Sequence, residues 1–148
     1  MSTETDISTL NGLIKTTLDS MKGYEEAAKD AESTQFATMF ADFARDRAQV
    51  ATTLQGHVRS LGGDPEMSSS LLAAAHRSFL DLKQALTGND DKAIILEVER
   101  GEDHIKAKYE SAMQQGDLSP ATAAAIAEGY ASVRAGHDKM SALKHSLT

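Results

Sequence analysis

The sequence predicts an all-α protein folded as an antiparallel four-helix bundle. Apolar residues recur in steps of three and four along most of the chain, with no sustained alternation of period two. Turn-forming residues cut the chain into four long segments and one short one. At 148 residues this is a single domain, long enough to bury a real core.

The first helix is expected over 6–32, where Ile7, Leu10, Ile14, Met21, Tyr24, Ala28 and Ala31 share one stripe. The second spans 34–61 through Phe36, Phe40, Phe43, Val50, Leu54 and Leu61. Only "EST" at 32–34 divides the two, so they form a tight hairpin. "GGDPEMSSS" at 62–70 then breaks the pattern. A shorter helix follows over 70–87, with Leu72, Ala75, Phe79, Leu82 and Leu86 on one side. In "GNDD", Gly88 suits a helix C-cap and Asn89 or Asp90 an N-cap. The third long helix covers 91–115, and "QGDLSP" turns the chain after it. Ser119 is the N-cap and Pro120 the first helical position of the last helix, 119–147, which runs through Ile126, Tyr130, Val133, Met140 and Leu147.

These lengths constrain the topology. Each long helix measures about 37 to 42 Å at a rise of about 1.5 Å per residue, and the short one lies between two long hairpins. A long crossover between the second and third bundle helices is ferritin-like connectivity. An up-down bundle with a peripheral helix uses the same elements, so periodicity leaves both open.

Composition excludes several functional classes. With no Cys there are no disulfides, thiolate metal sites or thiol nucleophiles. A net charge of −7, with 15 basic residues forming no basic run, argues against nucleic acid. No apolar stretch approaches the roughly 18 to 20 residues that span a bilayer. The opening "MSTETDIST" lacks the plan of a signal peptide. A cytoplasmic protein without membrane contact is the expectation. No Ser/His/Asp arrangement or Gly-rich phosphate loop is present, and "HRSFLDLK" at His76 suits a crossover cap better than a phosphotransfer histidine.

The informative feature is a set of polar residues on apolar stripes. In "VERGEDHIKAKY" at 98–109, Glu102 lies among Val98, Ile105, Tyr109 and Ala112. Glu25 flanks the first helix's stripe, Arg47 is central on the second, and His137 is central on the last; Glu99 and Asp103 project farther off. In ferritin-like connectivity Glu25, Glu102 and His137 fall within about one turn of each other, with Arg47 roughly 9 Å lower than Glu25. A buried Glu needs compensation. Arg47 or His137 can pair with Glu102 in a structural polar cluster. Alternatively, Glu25, Glu102 and His137 can hold iron, manganese or zinc, or water can enter. A di-iron bundle takes a Glu from each of two helices and a Glu-x-x-His from each of the others. No Glu-x-x-His occurs here, and Arg47 and Arg134 stand near the positions in question. Glycines at 12, 23, 56, 101, 129 and 136 lie inside predicted helices, each costing about 1 kcal/mol relative to Ala. They mark close helix approach, bending or tolerated surface positions.

Several blocks together resemble a known family. "GYEEAAKDA" at 23–31, Arg47 in "RDRAQ", "LGGDP" at 61–65, "HRSFLDLK" at 76–83 and "DDKAIILEVERGEDHIKAKYESAM" at 90–113 carry the likeness. It is to the bacterial ferritin-like four-helix-bundle family known as domain-of-unknown-function family 2383. Phe79 stands where that family is expected to have Trp. The resemblance covers about 7–144 and implies the crossover topology. It also makes metal binding or a stress-related role the natural guess, while the missing Glu-x-x-His motifs count against iron oxidation. The leading expectation is a non-enzymatic, self-associating bundle whose polar cluster is structural and which takes no cofactor. The alternatives are a metalloprotein or oxidoreductase using Glu25, Glu102 and His137, and a helical adaptor for a protein partner.

Overall fold

The computed structural model describes residues 3–67 and 91–147. Four helices account for nearly all of them: α1 (Thr3–Asp30), α2 (Thr34–Ser60), α3 (Asp91–Met113) and α4 (Pro120–Leu147). The expected helix over 70–87, with His76 and the caps at 88–90, lies outside the described residues.

Local chemistry sets the helix ends. Ser33 adopts extended backbone and accepts the Phe36 N–H, which starts α2. The end of α2 is a Schellman motif: the Gly63 N–H donates to the Val58 carbonyl and the Gly62 N–H to that of Arg59, each at 3.0 Å. Gly62 has φ +84°, a conformation that a side chain would strain. Ser119 accepts the Thr122 N–H at 3.4 Å, and Pro120 opens α4 as its sequence position implies.

Contacts at the two ends decide the topology. The Asp91 carboxylate accepts the Glu32 and Ser33 N–H groups at 2.9 and 3.0 Å, so α3 starts beside the α1–α2 turn. Asp6, at the other end of α1, is bonded to Ser119 before α4. The end of α2 returns to α1's first turns, where Asn11 donates to the Asp64 carbonyl and accepts the Glu66 N–H. The connection from α2 to α3 therefore joins opposite ends of the bundle, and α2 and α3 run parallel. That is the ferritin-like connectivity. α1 packs on α2 and α3, and α4 on α3 and α2, so neighbouring helices are antiparallel.

The core falls into two apolar clusters stacked along the bundle. The larger contains Leu10, Ile14, Leu54, Ile105, Tyr109, Ile126 and Val133, among others. The smaller is built on Tyr24, Phe40, Ala44, Ile95, Val98 and Met140. Tyr24 stacks on Phe43 with ring centroids 5.3 Å apart, and Phe40 lies next to both Tyr24 and Phe36. The Phe stripe of α2 is thus core packing, worth about 1.5–3 kcal/mol for a fully buried ring such as Phe40. No helix among the described residues is long and apolar enough to cross a membrane.

Asp6 closes one end of the bundle. It is only 2% exposed and accepts from the Ser119 and Thr122 hydroxyls at 2.6 and 2.9 Å and from the Ser119 N–H at 3.3 Å. His57 Nε2 lies 3.0 Å from Thr122 Oγ1, so the network ties α1, α2 and α4 together. His57 is half-buried for this reason. The Ser119 hydrogen bond holds the Asp6 carboxyl below its ordinary range against the opposing effect of burial. Replacing Asp6 by Ala strands buried donors and should cost about 1–3 kcal/mol in urea denaturation at neutral pH. Because the folded value is the lower one, Asp6 stabilises fully above about pH 3.9. The difference between wild type and variant should shrink as pH falls from there through the folded value.

Candidate functional site

Between the two apolar clusters lies one charged layer. Arg47 of α2 is fully buried and Glu102 of α3 is 2% exposed. They form a two-pronged pair: Arg47 Nη1 donates to Glu102 Oε1 at 2.7 Å, and Nη2 to Oε2 at 2.6 Å. This forked geometry is the strong form of an arginine–carboxylate bond. Ser20 of α1 accepts a further 2.7 Å bond from Nη1. The guanidinium carbon lies 5.4 Å from the Tyr24 ring centroid, within cation–π range.

All four helices shape this layer. Gly136 of α4 faces the pair, and a Cβ there would collide with Arg47 Nη2 and lie 2.8 Å from Glu102 Oε2. Glycine suits the position because the α4 backbone itself forms the wall, and a Cβ would force the pair to shift. Gly129 is a milder case, where a Cβ would lie 3.1 Å from the Tyr109 ring. Gly12, Gly23, Gly56 and Gly101 have open space beside them, so close approach does not explain them.

Electrostatics follow from this burial. Burial opposes the Arg47 charge, and the Glu102 hydrogen bond overrides it, so its pKa moves up. Tyr24 is pushed well above the ordinary tyrosine range, first by burial and then by the neighbouring Glu102 charge. Burial likewise raises Tyr109 to about 12, although its hydroxyl shares a 2.7 Å hydrogen bond with Thr17. Both phenols are therefore neutral at physiological pH.

The expected cluster of Glu25, Arg47, Glu102 and His137 is only partly assembled. Arg47 and Glu102 meet as described. Glu25 is exposed and pairs with Lys22 at 3.3 Å. The buried stripe of α1 runs through Thr17, Tyr24 and Ala27. Small polar residues on that seam, Thr17 and Ser20, were invisible to an apolar projection, which drifted towards Ala28 and Glu25. His137 is half-buried on the α3–α4 seam, with Nε2 2.7 Å from Asp103 Oδ1 rather than at Glu102. Glu25, Glu102 and His137 therefore do not form a common ligand set.

Glu99 is a second departure. Projected away from the stripe, it is only 9% exposed. Helix α3 packs on both α1 and α4, so it buries Ile94, Ile95, Val98, Glu99 and Glu102 on a face wider than one stripe. Lys144 Nζ lies 3.4 Å from Glu99 Oε2.

The ferritin-like fold implies two metal ions at the bundle centre, and the residues present do not fit them. A dinuclear centre needs several inward carboxylates with histidines. Here Glu102 spends both oxygens on Arg47, whose permanent charge repels a dication.

Comparisons with known proteins agree with this architecture. The family model described as "Domain of unknown function (DUF2383)" matches residues 5–115. Among solved structures, the chain is similar to the crystal structure of a two-domain protein containing DJ-1/ThiJ/PfpI-like and ferritin-like domains from Anabaena variabilis ATCC 29413. The TM-score is 0.78 at 18% identity, covering 100% of this chain and 41% of that one. This chain thus spans less than half the length of that protein, and the likeness is one of fold. A search of curated proteins found no match.

Breaking one partner of the central pair strands a buried charge. Arg47→Leu and Glu102→Leu should each destabilise by about 3–5 kcal/mol. The double substitution should recover most of that loss, giving a large coupling in a double-mutant cycle by urea denaturation. Gly136→Ala should cost about 1–3 kcal/mol and much less in the Arg47→Leu, Glu102→Leu double background, which removes both polar groups that a Cβ would press against.

Proposed function

We propose, for a chain that belongs to the family of the Domain of unknown function (DUF2383), that it is a non-enzymatic ferritin-like bundle whose interior is structural. The observation supporting this is the saturation of Glu102 by Arg47 at the bundle centre. Iron oxidation at such a centre needs open coordination positions on a metal held by anionic or neutral donors. A buried guanidinium supplies the opposite charge and, through its forked bond, removes the carboxylate from duty as a ligand.

Under this proposal the domain acts through its surface and its shape. The Arg47–Glu102 layer gives it one internal register, because both prongs close only when α2 and α3 stand at one relative height. Gly136 lets α4 close over the pair.

Aerobic oxidation of ferrous iron tests the reading. The untagged chain should oxidise Fe²⁺ no faster than buffer with an inert protein of equal charge. Catalytic turnover that disappears in Glu102→Gln would contradict it and make the central carboxylate a ligand.

A further inference from the structure

The α3–α4 seam carries a second polar constellation, separate from the central pair. Glu99 and Asp103 lie one turn apart on α3, and His137 faces them from α4. One carboxylate oxygen of each acid and a ring nitrogen of His137 lie within 4.8 Å of one another. We propose that these three residues form a mononuclear site for a first-row transition dication of the zinc, cobalt or iron(II) type.

The orientation of His137 is the first argument. Its Nε2 points at Asp103, 2.7 Å away, while Nδ1 lies 3.4 Å from Asp138 Oδ1 on its other side. A ligating histidine characteristically directs its second ring nitrogen at a carboxylate, which fixes the tautomer and aims the free lone pair. The 2.7 Å contact between Nε2 and Asp103 already brings a nitrogen and a carboxylate oxygen together around one shared hydrogen. A metal ion bound at Nε2 takes the place of that hydrogen.

Burial is the second argument. The side chain of Asp103 is 57% exposed, whereas that of His137 is 17% exposed and Glu99 is 9% exposed. The group therefore pairs one buried carboxylate with one exposed carboxylate, so that an ion can reach it from solvent. Lys144 pairs with Glu99 at 3.4 Å, so an ion bound there competes with one ammonium. A dication neutralises both carboxylates at once and displaces that ammonium.

The donor set selects the ion. One imidazole nitrogen and two carboxylate oxygens suit borderline first-row dications, while calcium and magnesium prefer oxygen throughout. Tetrahedral coordination with bonds of about 2.0–2.1 Å puts ligand atoms about 3.4 Å apart. Reaching that geometry takes a small opening of the His137–Asp103 contact, available to the exposed Asp103 side chain, and side-chain adjustment at Glu99. Three protein ligands leave a fourth position for water. This site and the structural reading of the bundle centre stand on different residues, so they fail separately.

Cobalt(II) titration of the untagged, metal-stripped chain tests the proposal, with visible d–d absorption as the readout. One saturable equivalent with an intense four-coordinate band is expected, displaced by Zn²⁺ and indifferent to excess Mg²⁺. His137→Gln and Asp103→Asn should each weaken binding at least about tenfold, as losing even a supporting residue does at metal sites. Asp138→Asn should weaken it by about tenfold while leaving the stoichiometry at one. Asp103 is on the surface, so its variant folds, and circular dichroism verifies this for all three. Absence of saturable cobalt binding, or binding that His137→Gln and Asp103→Asn leave unchanged, overturns the assignment.

Discussion

The rest of this bundle is arranged around one buried charge. An arginine with no exposed surface cannot discard its proton, so every neighbour must accommodate a permanent cation. Glu102 supplies the countercharge, Ser20 an additional acceptor, and Tyr24 an aromatic face. Each comes from a helix other than Arg47's own. The guanidinium therefore joins α1, α2 and α3 at one height, and the backbone of α4 closes over it at Gly136.

That arrangement explains why the core is divided. Apolar side chains fill the bundle above and below the layer, in two clusters with different character. The smaller holds the aromatic contacts of Tyr24, Phe36, Phe40 and Phe43, and the larger is mostly aliphatic. A buried ion pair adds little net stability over a well-packed apolar substitute. Its two prongs have directional requirements that apolar packing lacks, and those requirements select a register. The cost of the layer is desolvation, and its return is a single alignment of four long helices.

The same layer separates fold from chemistry. Ferritin-like connectivity follows from where the helices begin and end, which the Asp91 and Asp6 contacts fix at opposite ends of the bundle. Nothing in that connectivity requires carboxylates at the centre. Among the described residues, a group of two carboxylates and one imidazole lies instead on the outer α3–α4 seam. One ligand atom each from Glu99, Asp103 and His137 lies there within 4.8 Å of the others.

Much of the architecture was legible in the sequence because it rests on periodicity and punctuation. Apolar steps of three and four located the four long helices to within a few residues, and Ser33, Gly62, Ser119 and Pro120 marked their ends. Arg47 and Glu102 were recognisable as intruders on apolar stripes, and Gly136 as an unexplained glycine within a helix. Their partnership was one option among three, because a stripe gives direction and height but no rotamer. Glu25 was misplaced because Thr17 and Ser20, small polar residues, share the buried seam without adding to its apolar signal. Glu99 was overlooked because a helix packed against two neighbours buries a wider arc than one stripe describes. Asp6 gave no sequence signal, since a network closing a bundle end has no period. Helices, caps and suspect polar positions are local or periodic properties, so one chain specifies them by itself. Which charge meets which depends on helices far apart in sequence, and only their packing against one another decided that.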